Sequence, residues 1–219
     1  MKKLLFIILL TSTICSFGQK NCFVFKHTNY ISHFDTLKHY PVLVEYWLTK
    51  AHEQCAGKLV RNNTFAPDPI LKRQTDLDKD YVLLNKGLTV KFDRGHNMAC
   101  DDNLCQGETV ERECFYFSNM CPQYHTANNG SWKKLEAICR NMANVADSVH
   151  VWTGSIGKIQ GSTDRLYVPA MYWKVLYCVS SKQWEAYLFQ NNPNDALNQL
   201  DKIKVDKKVI EQLTGFTFK

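Results

Sequence analysis

Four consecutive residues, Asp93, Arg94, Gly95 and His96, set a carboxylate, a guanidinium, a bare backbone position and an imidazole side by side. An imidazole with an ordinary pKa of about 6.5 is largely neutral near pH 7, so His96 can act as a general base toward water. Arg94 can grip phosphate oxygens with two parallel N–H donors. Gly95 carries no side chain and leaves room for a substrate to approach the backbone closely. These residue types suit attack on a phosphodiester. Asp93 reads as a brace for Arg94 or for its loop.

Two further groups follow in order. Ser118-Asn119-Met120-Cys121-Pro122-Gln123 closes an aromatic stretch. Asn128-Asn129-Gly130-Ser131-Trp132-Lys133-Lys134-Leu135-Glu136 then opens a helical pattern. The ordered triple Asp-Arg-Gly-His, Ser-Asn-x-x-Pro-Gln and Asn-x-Gly-x-Trp-x-x-Leu-Glu resembles the DNA/RNA non-specific endonucleases of the ββα-metal (His-Me finger) class. A Pro169…Trp173-Lys174-Val175 segment and Glu211-x-x-Thr214-Gly215 extend the resemblance from about Tyr40 to the C-terminus.

The resemblance implies an α+β fold: a central antiparallel β-sheet with packed helices and a ββα-metal catalytic unit. It implies internal cleavage of DNA and RNA to 5′-phosphate and 3′-hydroxyl ends. In that reading His96 is the general base, and Asn119 accepts from or orients its ring. Asn128 is the direct ligand of Mg²⁺, with Mn²⁺ as a substitute. One neutral amide oxygen suits a cation that keeps most of its waters and takes further oxygens from substrate phosphate. Glu136 holds a metal-bound water. Arg61, Arg94 and Arg140 neutralise the phosphate in the transition state. Some relatives form dimers, so a homodimer is open to this chain. Cys121 departs from the family, which has a small or β-branched residue there.

Simpler roles exist for the same residues. Asn128 could cap a helix, as Asn commonly does, and Asn129 is the rival ligand if the register shifts by one. Asn119 could shape a turn. Glu136 could pair with Arg140 one helical turn on. Arg61 could close a surface loop, and His125 reads as a loop histidine. Trp132, at helical spacing, belongs to the core.

The elements that must position these groups come from patterning. Leu88-Thr89-Val90-Lys91-Phe92 alternates apolar and polar and predicts a strand delivering His96 at its end. A polar connection spans Asp101–Arg112, and a second strand is expected over Cys114–Asn119. The main helix is expected over Gly130–Asp147, with Trp132, Leu135, Cys139, Met142, Ala143 and Ala146 at three- and four-residue steps. If it began early, Asn128, Trp132 and Glu136 would stack on one side. Strands are expected over Tyr40–Leu48, Val149–Gly154, Ala170–Val179 and Trp184–Gln190, with helical spacing from Val205 on. Gln19–Thr36 has no clear period, Ala51–Lys58 reads as a connection, and Thr75–Lys86 as a charged surface loop. Arg61–Pro69 holds two prolines, which excludes a regular element.

The N-terminus, Met1-Lys2-Lys3 before an apolar run from Leu4 to Leu10, has the charged head and short core of a secretory signal. Cleavage after Gly18 would leave a single domain over residues 19–219, secreted or periplasmic and no longer at a membrane. The run is shorter than the roughly 20 residues needed to span a bilayer. The full chain carries 27 Lys+Arg against 21 Asp+Glu, a net +6. That mild excess is compatible with a polyanionic substrate and decides nothing alone.

Nine cysteines are encoded, and eight follow the signal segment. An even number in an exported chain suggests disulfides, and Cys100 and Cys105 are close enough in sequence to pair. A structural zinc site is the rival, though no Cys-x-x-Cys occurs. Two readings compete with the broad nuclease: a non-catalytic nucleic-acid-binding protein on the same fold, and a nuclease restricted to RNA or to single strands.

Overall fold

A computed structural model describes residues 21–71, 77–159, 165–194 and 200–219, without the side chains of 77 and 78. The expected signal segment lies outside these residues. Three strands open the described chain: β1 (Cys22–Lys26), β2 (Tyr30–Asp35) and β3 (Tyr40–Thr49). The chain then leaves the sheet through the short helix α1 (Lys50–Glu53). It builds α2 (Leu77–Leu84), β4 (Phe92–His96), a 3₁₀ turn over Cys100–Asn103 and α3 (Glu108–Cys114). A second 3₁₀ turn, Phe117–Asn119, leads to β5 (Met120–Tyr124) and a single turn, α4 (His125–Ala127). A wide turn over Asn128–Trp132 enters the main helix, α5 (Lys133–Ala146). The sheet resumes with β6 (Ser148–Ile156), β7 (Met171–Cys178) and β8 (Gln183–Gln190). Helix α6 (Leu200–Ile203), β9 (Lys204–Val205) and α7 (Lys207–Thr214) close the chain.

The main sheet runs β1-β2-β3-β6-β7-β8-β9, and β4 and β5 form a separate two-stranded ribbon. Every strand pairing is antiparallel. β3 and β6 are neighbours, with Val44 opposite Thr153 and Leu48 opposite Val149. The described residues between them in sequence therefore form one excursion off the sheet, which carries the ribbon and α5.

Both sheet faces are covered. Leu135, Cys139 and Ala143 of α5 pack on Val44, Tyr46, Leu48, Val149 and Val151. Ile210 of α7 and Phe218 pack on the other face against Leu43, Trp152, Trp173 and Val175. A strand buried on both faces reads as a continuous apolar run, which is why Tyr40–Leu48 was legible. α7 begins with Asp206 accepting from the Lys208 amide at 2.8 Å and ends at Gly215, whose φ of 75° suits glycine.

Several expectations need correction. The residues expected to lack a period form β1 and β2. Leu77–Leu84 is a helix rather than a loop, with Tyr81 and Leu84 one turn apart in the core. The first ribbon strand is Phe92–His96, not Leu88–Phe92. The stretch expected as the second strand is the end of α3 and a 3₁₀ turn, and the partner strand is Met120–Tyr124. Cys105 is bonded to Cys55, not Cys100, and Cys100, Cys114, Cys121, Cys139 and Cys178 are buried thiols. The Cys55–Cys105 bond ties the chain after α1 to the loop before α3. Among the described residues no helix is long and apolar enough to cross a membrane.

Candidate active site

The ribbon delivers His96 at the end of β4, opposite Met120. Side chains alternate along a strand, so Arg94 and His96 leave on the same face. A single ring separates them. Phe65 lies with its centroid 5.8 Å from the His96 ring, and the Arg94 guanidinium sits 4.9 Å from the same centroid. Arg94 also lies 5.2 Å from the Tyr81 ring. The proline-rich loop carrying Phe65 is held firmly. Ala66 N donates to Phe115 O at 3.2 Å, and Phe117 N donates to Ala66 O at 3.0 Å. Asp68 is buried against His27 Nε2 at 2.7 Å and accepts from the Ser118 hydroxyl.

The space above Gly95 is filled. A Cβ there would lie 2.3 Å from Gln123 Oε1, and Gln123 is fully buried. The glycine admits Gln123, not a substrate, which corrects the sequence-based expectation.

The side-chain hydrogen bonds of Asn119 do not go to the His96 ring. Its Oδ1 accepts from Met98 N at 2.9 Å, and its Nδ2 donates to Met98 O and Cys114 O, both at 2.9 Å. Asn97 N donates to Asn119 O at 2.9 Å. The fully buried Asn119 therefore fixes the backbone that follows His96, and orients the ring only through that backbone. Trp132 braces the other side: its Nε1 donates to His96 O at 3.1 Å, and its ring is fully buried, as expected for a core residue.

One cleft gathers His96, Arg61, Asn128 and Glu136, four of the seven expected site residues. Asn129, Lys133, Asp101, Ala99 and Cys100 also line it. The imidazole packs against Phe115 at 5.3 Å as well as Phe65. Burial, then the nearby Arg61 charge, pushes its pKa down to about 3. His96 is thus neutral across the physiological range, as a base must be. Its Nε2 has no hydrogen-bond partner among the described residues. Arg61 is held by Asn63 Oδ1 at 2.7 Å and lies 3.7 Å from Asp101.

Asn128 and Glu136 do not share one continuous helix. Gly130 has non-helical φ and ψ of −96° and −113°, so the wide turn breaks from α5. Both still face the cleft, while Trp132 turns inward. Glu136 is half-buried, and desolvation raises its pKa to about 7, against the pull of Lys174 and Arg140. Lys174 is a fully buried β7 lysine whose Nζ lies 4.5 Å from the Trp132 ring centroid.

Arg140 does not pair with Glu136. It donates to Asp102 Oδ1 at 3.0 Å, and Tyr46 donates to Asp102 Oδ2 at 3.1 Å. Arg94 and Arg140 therefore flank the cleft rather than line it. Lys133 went unremarked in the sequence, although it precedes Glu136 by three residues and so shares its helix face. Phe65 carried no signal at all.

The donor set can be tested against a divalent cation. Among the described residues no group of three or more His, Cys, Asp or Glu side chains comes together as a metal cage. The cleft instead offers the Asn128 amide, the carboxyl groups of Glu136 and Asp101, and open space. That suits a hydrated hard cation, which keeps its waters and takes few protein oxygens.

Comparison with known proteins gives a consistent picture. A sequence profile described as DNA/RNA non-specific endonuclease matches residues 11–219. The chain is 32% identical over 212 residues to "Nuclease" of Serratia marcescens, covering 90% of this chain and 75% of that protein. It is 30% identical over 174 residues to "Nuclease EXOG, mitochondrial" of Xenopus laevis, covering 70% of this chain and 46% of the relative. A chain from the crystal structure of the EndoG/EndoGI complex superposes with a TM-score of 0.73 at 24% identity, over 89% of this chain and 84% of that one.

Proposed function

Because this chain belongs to the DNA/RNA non-specific endonuclease family, we propose that it is a secreted, Mg²⁺-dependent endonuclease cutting DNA and RNA internally, leaving 5′-phosphate and 3′-hydroxyl ends. The observation that carries the reading is the pairing of a neutral, uncommitted His96 with Arg61 and Asn128 in one cleft. His96 takes the proton of an attacking water in line with the scissile P–O bond. Phe65 and Phe115 hold its ring, while Asn119 and Trp132 hold its backbone. Arg61 contacts the phosphate, and Lys133 adds a second charge from the helix. Arg94 and Arg140 lend positive potential from behind the cleft walls.

Asn128 Oδ1 is the group that would hold the cation, and Glu136 would orient one of its waters. A divalent cation held there would supply charge to neutralise the transition state; Mn²⁺ is expected to substitute. None of these contacts reads a base, which fits indifference to sequence and sugar.

Export rests on the charged and apolar N-terminus, with residues 1–18 removed and 19–219 forming the mature domain. The Cys55–Cys105 bond is in keeping with an oxidising compartment. The test is digestion of plasmid and RNA by the mature protein with Mg²⁺ and with EDTA, beside His96→Ala. Loss of both cleavages in EDTA and in the variant supports the mechanism. Cleavage of RNA alone would discard the broad specificity. Cleavage surviving His96→Ala would remove His96 as base. A folded, Mg²⁺-loaded, inactive protein that still binds DNA would favour the non-catalytic alternative.

A further inference from the structure

Of the three members of the Asp-Arg-Gly-His group that carry a polar side chain, Asp93 alone is left without a task by the mechanism. Its carboxylate is the meeting point of three donors. Asn128 Nδ2 lies 2.9 Å from Oδ2, and Asn129 Nδ2 lies 3.2 Å from the same oxygen. His125 Nδ1 lies 3.0 Å from Oδ2 and 3.1 Å from Oδ1.

An ionised carboxylate can only accept hydrogen bonds, whereas a primary amide has a donating and an accepting end. The end of Asn128 that meets Asp93 must therefore be the nitrogen. Its oxygen is then turned away from Asp93, free to serve a ligand in the cleft that Asn128 lines. Without such an anchor the two ends could exchange, and a cation would meet N–H donors for part of the time. Asp93 can do this because β4 holds it: its partner across the ribbon is Gln123, just before the His125 turn.

We propose that Asp93 is a positioning residue that fixes the Asn128 amide with its oxygen toward the cleft and so presets the cation site. Asn129 and His125 make further hydrogen bonds to the carboxylate and keep it from turning away. The proposal rests on the reading of Asn128 as the cation ligand.

The probe is Mn²⁺ alone, titrated into the full-length mature protein without nucleic acid and followed by electron paramagnetic resonance. The proteins are wild type, Asn128→Ala, Asp93→Ala and Asp93→Asn, each checked for native circular dichroism. Asp93→Ala should weaken Mn²⁺ binding by about 10- to 100-fold, the range expected for loss of a ligand's outer partner. Asp93→Asn removes the charge but keeps an oxygen that can accept from Asn128 Nδ2, so it should bind close to wild type. Orientation and charge are thereby separated. Wild-type binding by Asp93→Ala would overturn the proposal. Equal weakening in Asp93→Ala and Asp93→Asn would also overturn it, by showing that charge alone matters. Undiminished binding by Asn128→Ala would instead bring down the ligand reading, and the proposal with it.

Discussion

Burial of His96 should leave a measurable imprint on stability as well as on catalysis. The imidazole titrates near 6.5 in an unfolded chain and at about 3 in the fold, through burial first and the Arg61 charge second. A depressed histidine pKa means that the unfolded state binds more protons. The stability associated with neutral His96 is therefore intact above the unfolded value of about 6.5 and drains away as pH falls toward about 3. At about 1.36 kcal/mol per pH unit, the loss between about pH 7.5 and about pH 5 comes to roughly 2 kcal/mol. Many carboxylates also titrate on the way down, so the comparison must be internal. Urea unfolding of wild type and His96→Asn, in EDTA, at both pH values supplies it. The constant cost of the substitution cancels, and the wild type should lose roughly 2 kcal/mol more than the variant. Parallel losses would refute the claim that His96 is held neutral by the fold.

Gly95→Ala should cost about 1–3 kcal/mol by overpacking, because the new methyl meets the buried Gln123 side chain; thermal unfolding measures it. Asn119→Ala strips hydrogen bonds from Met98 N, Met98 O and Cys114 O. It should lose at least about 2 kcal/mol, and turnover should fall with it because the chain after His96 is released. Reducing Cys55–Cys105, which closes a separation of 50 residues, should cost about 4 kcal/mol on the loop-entropy estimate, read as a lower urea midpoint in dithiothreitol. Glu136, raised to about 7, should lose its charge as pH drops below neutrality. Metal-free protein should then bind Mn²⁺ less well on the acid side of about pH 7, and Glu136→Gln should flatten that dependence.

How far the sequence carried varies with the kind of packing each stretch meets. Strands sandwiched between α5 and α7 were readable because burial on both faces leaves an apolar run, as in Tyr40–Leu48. The aromatic stretch Phe115-Tyr116-Phe117 misled for a related reason. The sequence predicts a strand there, yet all three side chains are buried, from 0% to 9% exposed, so no solvent face exists to define a period. The ribbon strand was displaced because Gly95 and three charged or titratable neighbours make a poor strand on propensity alone. Its start is set by tertiary contacts. Asn85 Nδ2 donates to Phe92 O, and its Oδ1 accepts from Phe92 N, closing the strand where the alternating residues begin to fail. The missed helix Leu77–Leu84 was different, since Tyr81 and Leu84 already stood one turn apart among its charges.

The site was legible as a set of residue types and much less as a set of contacts. Arg94 and His96 lie two apart on one strand, and periodicity correctly puts them on one face. Periodicity cannot show that Phe65, from a loop without regular structure, stands between them and moves Arg94 out of the cleft. Arg140 follows Glu136 by one turn, which predicts an ion pair, but a buried Asp102 from the turn after β4 takes the guanidinium instead. Asn119 is chemically able to orient an imidazole, yet its three side-chain bonds are spent on backbone. In each case a segment remote in sequence decides what a legible residue touches. Two layers result: His96, Arg61, Asn128, Glu136 and Lys133 facing the cleft, and Asp93, Arg94, Asn119, Trp132 and Arg140 around them. Substitutions in the first layer should act on chemistry at fixed geometry, and those in the second on the geometry itself.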